Sequence, residues 1–476
     1  MDFHRNFIPI HRPMIRLKNK LIYLGCGLTI SVIIAQSPSA QSYNEFIESL
    51  EQHPQIEIAR QWVRMGNAAQ LAGSGQFDPV ISGETEQKQW QQKTSYQWIR
   101  GEAKQNVFAG HSVRAGFDWG QGPWINPELQ TEPNGIPYAG VELALGQGFM
   151  MDKRRAEYLK SRAYGALYDN ESRAEKNTLF YSASISFVYW LNYKAQLELM
   201  QYFKKLAQDR LEALKVAQRT GEKSVMDTVE ASIYLQGRIL EWREIQLQLN
   251  QSQNQLSTYV WDNPQSVSDS VGLQKNKETL TLLLEKALRK KSWELSDSLL
   301  NPELIRYQIK SKLLDIETRY RKEFLKPQMQ LKYNLLQPKS SAFTAEQMKW
   351  SANISFPVFF RTPLGEYRIS REQLRMNAME GTQKRIEWKA KLKALDYKLK
   401  IIAEQIVQAS LASNLSKTLL EAEKIKFQNG EGTLFLLNSR ESKWLENQLK
   451  LTEFQTKWLN VYFDWVYTSG QLQYKL

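Results

Sequence analysis

The chain has 476 residues, of which 42% are hydrophobic and 24% charged, with one cysteine and a formal net charge of +13. That balance excludes a disordered chain, and the length allows two to four domains. The positive charge is mixed with glutamate along the helical segments instead of gathering in a block. A solvated helix surface accounts for it, and no nucleic-acid partner is implied.

The first forty residues stand apart. Arg12, Arg16, Lys18 and Lys20 precede the apolar run 21–34, and small residues follow at Ala35, Ser37, Ser39 and Ala40. This is the layout of a secretory leader over residues 1–40, with cleavage expected between Ala35 and Gln41. A membrane anchor would need a longer run followed by a stop-transfer pattern. Tyr23-Leu24-Gly25 is a poor lipoprotein signal before Cys26, so no lipid anchor is expected. Removing the leader takes away five basic residues, one acidic residue and the cysteine, which leaves a charge of +9. A secreted chain without disulfides depends on burial and assembly for its stability.

Residues 43–74 read as a short helix, a break at His53-Pro54 and a second helix. Phe77-Asp78-Pro79 then opens an extended segment, because proline disfavours helix in the residue before it. Two clean alternations follow: Val113, Ala115, Phe117 and Trp119, then Ala139, Val141, Leu143 and Leu145. Each puts apolar side chains on one face and small or polar ones on the other. Residues 94–126 have no counterpart later in the chain and are expected to add a hairpin.

From Asp152 to Thr220 no proline interrupts a helical pattern in which Leu199, Phe203, Leu206, Leu214 and Ala217 keep one apolar stripe. At 1.5 Å per residue such a helix reaches roughly 100 Å, far beyond a compact domain. Arg219-Thr220-Gly221-Glu222-Lys223 reads as a tight turn with Gly221 in the left-handed position, and Ser224 caps the return. Met226, Ile233, Leu240 and Leu247 recur at heptad spacing on the return helix, with Val229 on the same face.

The whole arrangement then repeats at a fixed offset of 209 residues. Glu157-Tyr158 recurs as Glu366-Tyr367, Ser161-Arg162 as Ser370-Arg371, Leu211-Glu212-Ala213 as Leu420-Glu421-Ala422, and Gly221-Glu222 as Gly430-Glu431. Chance similarity between two coiled coils would not place both glycine turns at the same point. Residues 280–324 echo the opening helices, with the break at Asn301-Pro302, and Leu325-Lys326-Pro327 opens the second extended segment. Met329, Leu331, Tyr333 and Leu335, then Trp350, Ala352, Ile354, Phe356 and Val358, supply the second pair of alternations. The domain reading is a leader, 1–40, and two repeats, 41–262 and 263–476. On the last helix, Leu437, Trp444, Leu451, Trp458 and Trp465 are spaced by seven and are expected to pack as core.

Four such strands cannot close a barrel or build a sandwich in one chain, so they require copies from other subunits. Alternation of this kind suits a transmembrane barrel with lipid outside and water inside. No chemistry competes with this reading. His53 and His111 lack metal-ligand spacing, no thiol remains, and neither Gly146-Gln147-Gly148 nor Gly73-Ser74-Gly75 completes a dinucleotide loop. No active site and no cofactor are expected.

With the leader, the duplicated strand-plus-hairpin unit and a glycine turn at each hairpin tip, the chain resembles the TolC-type outer-membrane efflux proteins. The resemblance covers nearly the whole mature chain. It implies a mainly α protein with β, in which a trimeric β-barrel of twelve strands joins a coiled-coil α-helical tunnel. It further implies a channel from periplasm to exterior that docks onto a periplasmic adaptor and an inner-membrane pump. The tips that would meet the adaptor are Arg219, Thr220, Gly221, Asn429, Gly430 and Glu431. In the family an aspartate near the first tip bonds a tyrosine and an arginine near the second to close the tunnel mouth. Asp227 matches that aspartate, but the partner positions hold Phe427 and Gly432, which cannot make those bonds. Closure is therefore expected from packing that includes Phe427, with Asp227 either a minor contributor or a plain helix-surface carboxylate. A periplasmic adaptor with one hairpin and a purely structural coiled coil are the alternatives. The duplication argues against the first and the aromatic strands against the second.

Overall fold

Capping side chains, prolines and glycines mark many of the helix ends. In the computed structural model, which describes residues 43–107, 110–260, 279–290, 301–337, 343–471 and 474–475, eight α-helices flank one sheet. The expected leader and the junction between the repeats lie outside the described residues. The first repeat runs α1 (Tyr43–Ser49), α2 (Pro54–Ser74), strands β1 (Val80–Trp90), β2 (Lys93–Asn106), β3 (Ser112–Gln121) and β4 (Ile136–Ala144), then α3 (Lys153–Arg219) and α4 (Val225–Ser257). The second runs α5 (Leu280–Lys290), α6 (Pro302–Glu323), β5 (Gln328–Leu336), β6 (Met348–Ser355), α7 (Arg361–Gln428) and α8 (Leu434–Ser469).

The breaks fall where the residues require them. Pro54 and Pro302 take the first helical position, where a missing N–H costs nothing. Asn301 accepts from the N–H groups of Glu303 and Leu304 through Oδ1 and donates from Nδ2 to Thr468 O at 2.8 Å. The two long helices have 67 and 68 residues, as the constant offset requires, and at 1.5 Å per residue each reaches roughly 100 Å.

The strand reading needs one addition. Residues 94–126 contribute β2 and β3, and the extra hairpin is β1 with β2, beginning at Val80 just after Pro79. The described strands form a six-stranded antiparallel sheet in the order β1-β2-β3-β4-β5-β6. The two repeats meet in it at the pairing of β4 with β5. At the other end, the second alternation stops at Ser355, and Phe356 and Val358 lie beyond the strand.

The main core lies where the two hairpins and the short helices cross. Tyr43, Phe46 and Leu50 of the first turns pack on Phe187 and Trp190 of α3, Leu283 and Leu284 of α5, Leu392 and Leu399 of α7, and Trp458 and Phe463 of α8. Tyr474 closes it, its hydroxyl donating to Asn177 Oδ1 at 2.8 Å. Burial raises the hydroxyl pKa values of Tyr43 and Tyr462, the latter to about 12. On α8 the seven-residue stripe packs inward: Leu437, Trp444, Trp458 and Trp465 are buried and Leu451 is half-buried.

Two smaller clusters carry the contact between hairpins toward the turns, one around Phe203, Leu420 and Trp444, the other around Leu211, Leu214, Leu235 and Leu434. A polar joint crosses them. Arg210 of α3 donates to Glu441 Oε2 at 2.5 Å and to Asn438 Oδ1 at 2.7 Å, both on α8. The Tyr234 ring of α4 lies 4.8 Å from the Arg238 guanidinium and 5.9 Å from that of Arg210. Burial pushes the Glu441 carboxyl above the usual carboxylate range, while Arg210 pulls it the other way.

Trp458 is 1% exposed, stacks on Tyr462 at 5.5 Å and donates from Nε1 to Leu399 O at 3.1 Å. Trp458→Ala is expected to cost about 3–5 kcal/mol, read by helical circular dichroism during thermal unfolding in detergent. An unchanged melting curve would refute the packing. Arg210→Met leaves a carboxylate whose side chain is 0% exposed without its counter-charge. A loss of about 3–5 kcal/mol is expected at neutral pH. A folded pKa above the unfolded one means the group favours folding most at acid pH and loses that contribution as pH rises through the folded value. The gap between variant and wild type should therefore narrow as pH falls through the carboxylate range. A gap that stays constant with pH would show that Glu441 carries no charge to compensate.

Candidate functional site

Two regions hold the candidate functional residues: the hairpin tips and the sheet. At the first tip, Gly221 has φ +79° and at the second Gly430 has φ +81°. The hydrogen bonds repeat with the sequence. Glu222 N donates to Ala217 O at 2.9 Å, and Glu431 N to Lys426 O at 3.0 Å. Both bonds satisfy carbonyls left open at the helix end. A Cβ at either glycine would meet nothing within 4 Å, so the backbone angle alone requires glycine there. Arg219, Thr220, Asn429 and Glu431 are exposed around them.

The return helices start differently. Ser224 Oγ accepts from Asp227 N at 3.2 Å while Asp227 Oδ2 accepts from Ser224 N at 3.1 Å, a reciprocal cap. Within the chain, the Asp227 carboxylate is engaged in this cap. In the second copy Thr433 caps through Leu436 N, and the position matching Asp227 is Leu436 itself. Phe427 is half-buried and borders both small apolar clusters. The Lys223 ammonium of the first turn lies 5.2 Å from its ring centroid, which brings the two tips into contact. Gly432 sits in tight quarters: a Cβ would stand 3.0 Å from Phe427 N and 3.1 Å from Glu423 Oε1, so its neighbours would have to give by a few tenths of an ångström.

The sheet separates charge from hydrocarbon. The pairing places Ile81, Ala103, Ala115, Ala139, Leu335 and Met348 in one row, and Thr85, Ile99 and Trp119 in another on the same face. Val113, Phe117, Val141, Trp350 and Ile354 share that face and are exposed. Every charged residue of the six strands except Lys93, at the β1–β2 turn, lies on the other face. There the charges bond across strands. Arg100 donates to Asp118 at 2.8 Å, Lys104 to Glu142 at 2.6 Å and Arg114 to Asn334 at 3.0 Å, while the Tyr138 hydroxyl donates to Glu102 at 2.7 Å. Gly140 lies between Arg114 and Asn334 in the row, and a Cβ there would come within 2.2 Å of Asn334 Oδ1. Its bareness lets Arg114 reach over a strand. Exposed aromatic residues stand at both ends of the strands: Trp90 and Trp124 at one, Phe149, Phe356 and Phe359 at the other.

Sequence reasoning missed two parts of this. The Arg210–Glu441 joint carries no local signal, since its partners are 231 positions apart. The ladder on β1 and β2 does carry one: Glu84, Glu86 and Lys88, then Arg100, Glu102 and Lys104, alternate at period two. Alternating charges without a bulky apolar partner row were not read as a strand face.

Among the described residues no helix is long and apolar enough to cross a membrane, which says nothing of a β-barrel. No protein-family model matches the chain, and no match was found among curated proteins. Solved structures do match. The outer membrane channel CmeC of Campylobacter jejuni is 12% identical, with 90% of this chain and 85% of that chain covered and a TM-score of 0.62. The outer membrane protein VceC of Vibrio cholerae is 13% identical, with 90% and 95% covered and a TM-score of 0.63. The outer membrane channel MtrE of Neisseria gonorrhoeae is 10% identical, with 90% and 88% covered and a TM-score of 0.61. At such identities the likeness is one of fold. Sheet, paired long hairpins and chain order together give this protein the fold of the TolC-type outer-membrane channels.

Proposed function

We propose that the chain is the outer-membrane channel of a multi-part efflux or secretion system, conducting substrates from the periplasm to the exterior. The observation that carries this reading is the sheet: charges gathered on one face, bare hydrocarbon on the other and aromatic residues at both strand ends. A wall with lipid outside and water inside calls for that arrangement. A sheet of this kind has no use in a soluble adaptor or a structural coiled coil.

The working unit is a homotrimer. On α4, Met226 is 74%, Ile233 69% and Leu240 68% exposed, and Val407, Leu411 and Leu415 of α7 are exposed as well. The α4 stripe has the spacing of a coiled-coil seam, and both stripes lack a covering helix among the described residues, so neighbouring copies cover them. The sheet then sits in the outer membrane and the helices form a tunnel through the periplasm. Residues 1–40 are a removed leader, and 41–262 and 263–476 are the two repeats. Neither a cofactor nor a catalytic step belongs to this role.

Arg219, Thr220, Gly221, Asn429, Gly430 and Glu431 form the ends that meet a periplasmic adaptor and, through it, an inner-membrane pump. Phe427 narrows the mouth by packing, and Asp227 contributes chiefly through the cap that shapes the first tip.

In mild detergent the protein extracted from outer membranes should have the mass of three copies; a monomer at micromolar concentration would count against the channel. Gly221→Val and Gly430→Val force a β-branched side chain into a left-handed angle, which costs roughly 1–2 kcal/mol locally. Each variant should assemble into membrane-embedded trimers and lose export. Full export from both would remove the tips from the docking surface.

A further inference from the structure

We infer that β1 of one copy pairs with β6 of the next, so that three copies with six strands each close an eighteen-stranded barrel. This rests on the trimeric channel proposed above and goes beyond it, since the family resemblance implies a barrel of twelve. The difference is the β1–β2 hairpin, and the structure makes that hairpin part of the wall.

Its strands have the length and the faces of a membrane wall. β1 has 11 residues and β2 has 14, and a spanning strand needs about 9–11. Ile81, Gly83 and Thr85 of β1 and Ile99, Gly101 and Ala103 of β2 continue the apolar face without a charge. On the polar face β2 is tied to the rest of the sheet by Arg100–Asp118, Lys104–Glu142 and Arg114–Glu102. A barrel of twelve would have to join β6 to β3, yet both edges of β3 are already occupied, by β2 and β4. Reaching twelve would break those ion pairs and peel the hairpin away.

The open edges then belong to β1 and β6. Unpaired backbone groups are not tolerated in hydrocarbon, so each edge requires a strand. A second copy fits both. Because the six strands alternate in direction, β6 and the next β1 run antiparallel. Both also connect to the helices at the same end, β1 after Pro79 and β6 before Arg361. Their polar faces are complementary in net charge, with Glu84, Glu86 and Lys88 on β1 and Lys349 on β6. With Val80 level with Ser355, Glu86 faces Lys349; a slip of two residues brings Glu84 there instead. Barrel diameter grows about linearly with strand number, so this wall would be about half again as wide as one of twelve.

The mature chain has no cysteine, so engineered pairs can be read cleanly. Ile81→Cys or Thr85→Cys would be combined with Trp350→Cys, Ala352→Cys or Ile354→Cys, all on the apolar face, and the membranes oxidised. A second set would combine Ala115→Cys or Phe117→Cys of β3 with the same β6 positions, and Ser82→Cys with Ile354→Cys serves as an opposite-face control. The mass in mild detergent is measured first for each variant. The inference expects three-copy particles in which at least one β1–β6 pair gives covalent dimers and trimers, with the β3 set and the control giving none. Three-copy particles with β3–β6 products, or with no β1–β6 product, would overturn the eighteen-stranded wall and leave the channel standing. A mass other than three copies would overturn both.

Discussion

Charge confined to one face of the sheet is the constraint on which the rest of this structure depends. Arg100, Glu102, Lys104, Arg114, Asp118 and Glu142 neutralise one another across neighbouring strands on the polar face. The opposite face presents Phe117, Val141, Trp350 and Ile354, all exposed. In the proposed channel one chain does not satisfy such a sheet, because one face would meet water, the other hydrocarbon, and both edges would need partners. The helices repeat the same incompleteness in another form. Met226, Ile233 and Leu240 make an apolar seam along α4 that no helix among the described residues covers. The proposed trimer answers both forms of incompleteness at once.

Duplication supplies length cheaply but leaves the two tips unequal. The same turn is built twice, down to the bonds Glu222→Ala217 and Glu431→Lys426. Beyond it the copies diverge. The first tip has a reciprocal cap from Ser224 and Asp227, whereas the second has Thr433 alone and the aromatic Phe427 on its approach. Phe427 under the Lys223 ammonium, and Arg210 held by Glu441 and Asn438, join the hairpins toward their turns. A buried pair with one oxygen on a strongly desolvated carboxylate is a poor source of stability but fixes one alignment of the helices. Ser413, buried on α7, and the small residues Ala409 and Ala412 near it let helices approach closely along that stretch.

Much of this was legible from residues alone because it is local or periodic. Asp152 and Thr220 bound the first long helix as cap residues, Gly221 and Gly430 demand positive φ, and Pro54 and Pro302 open helices. Period two marked β3 to β6, and period seven marked the stripe from Leu437 to Trp465. Such features depend on one residue's backbone preference or on a repeat in the text, and neither needs knowledge of the neighbours. What only the tertiary structure decided depends on neighbours distant in sequence. Glu84 and Lys104 look like solvated charges until the register places them on the polar face of a shared sheet. Arg210 and Glu441 become a buried pair only when two hairpins are laid side by side, since burial is a property of packing and not of any segment alone.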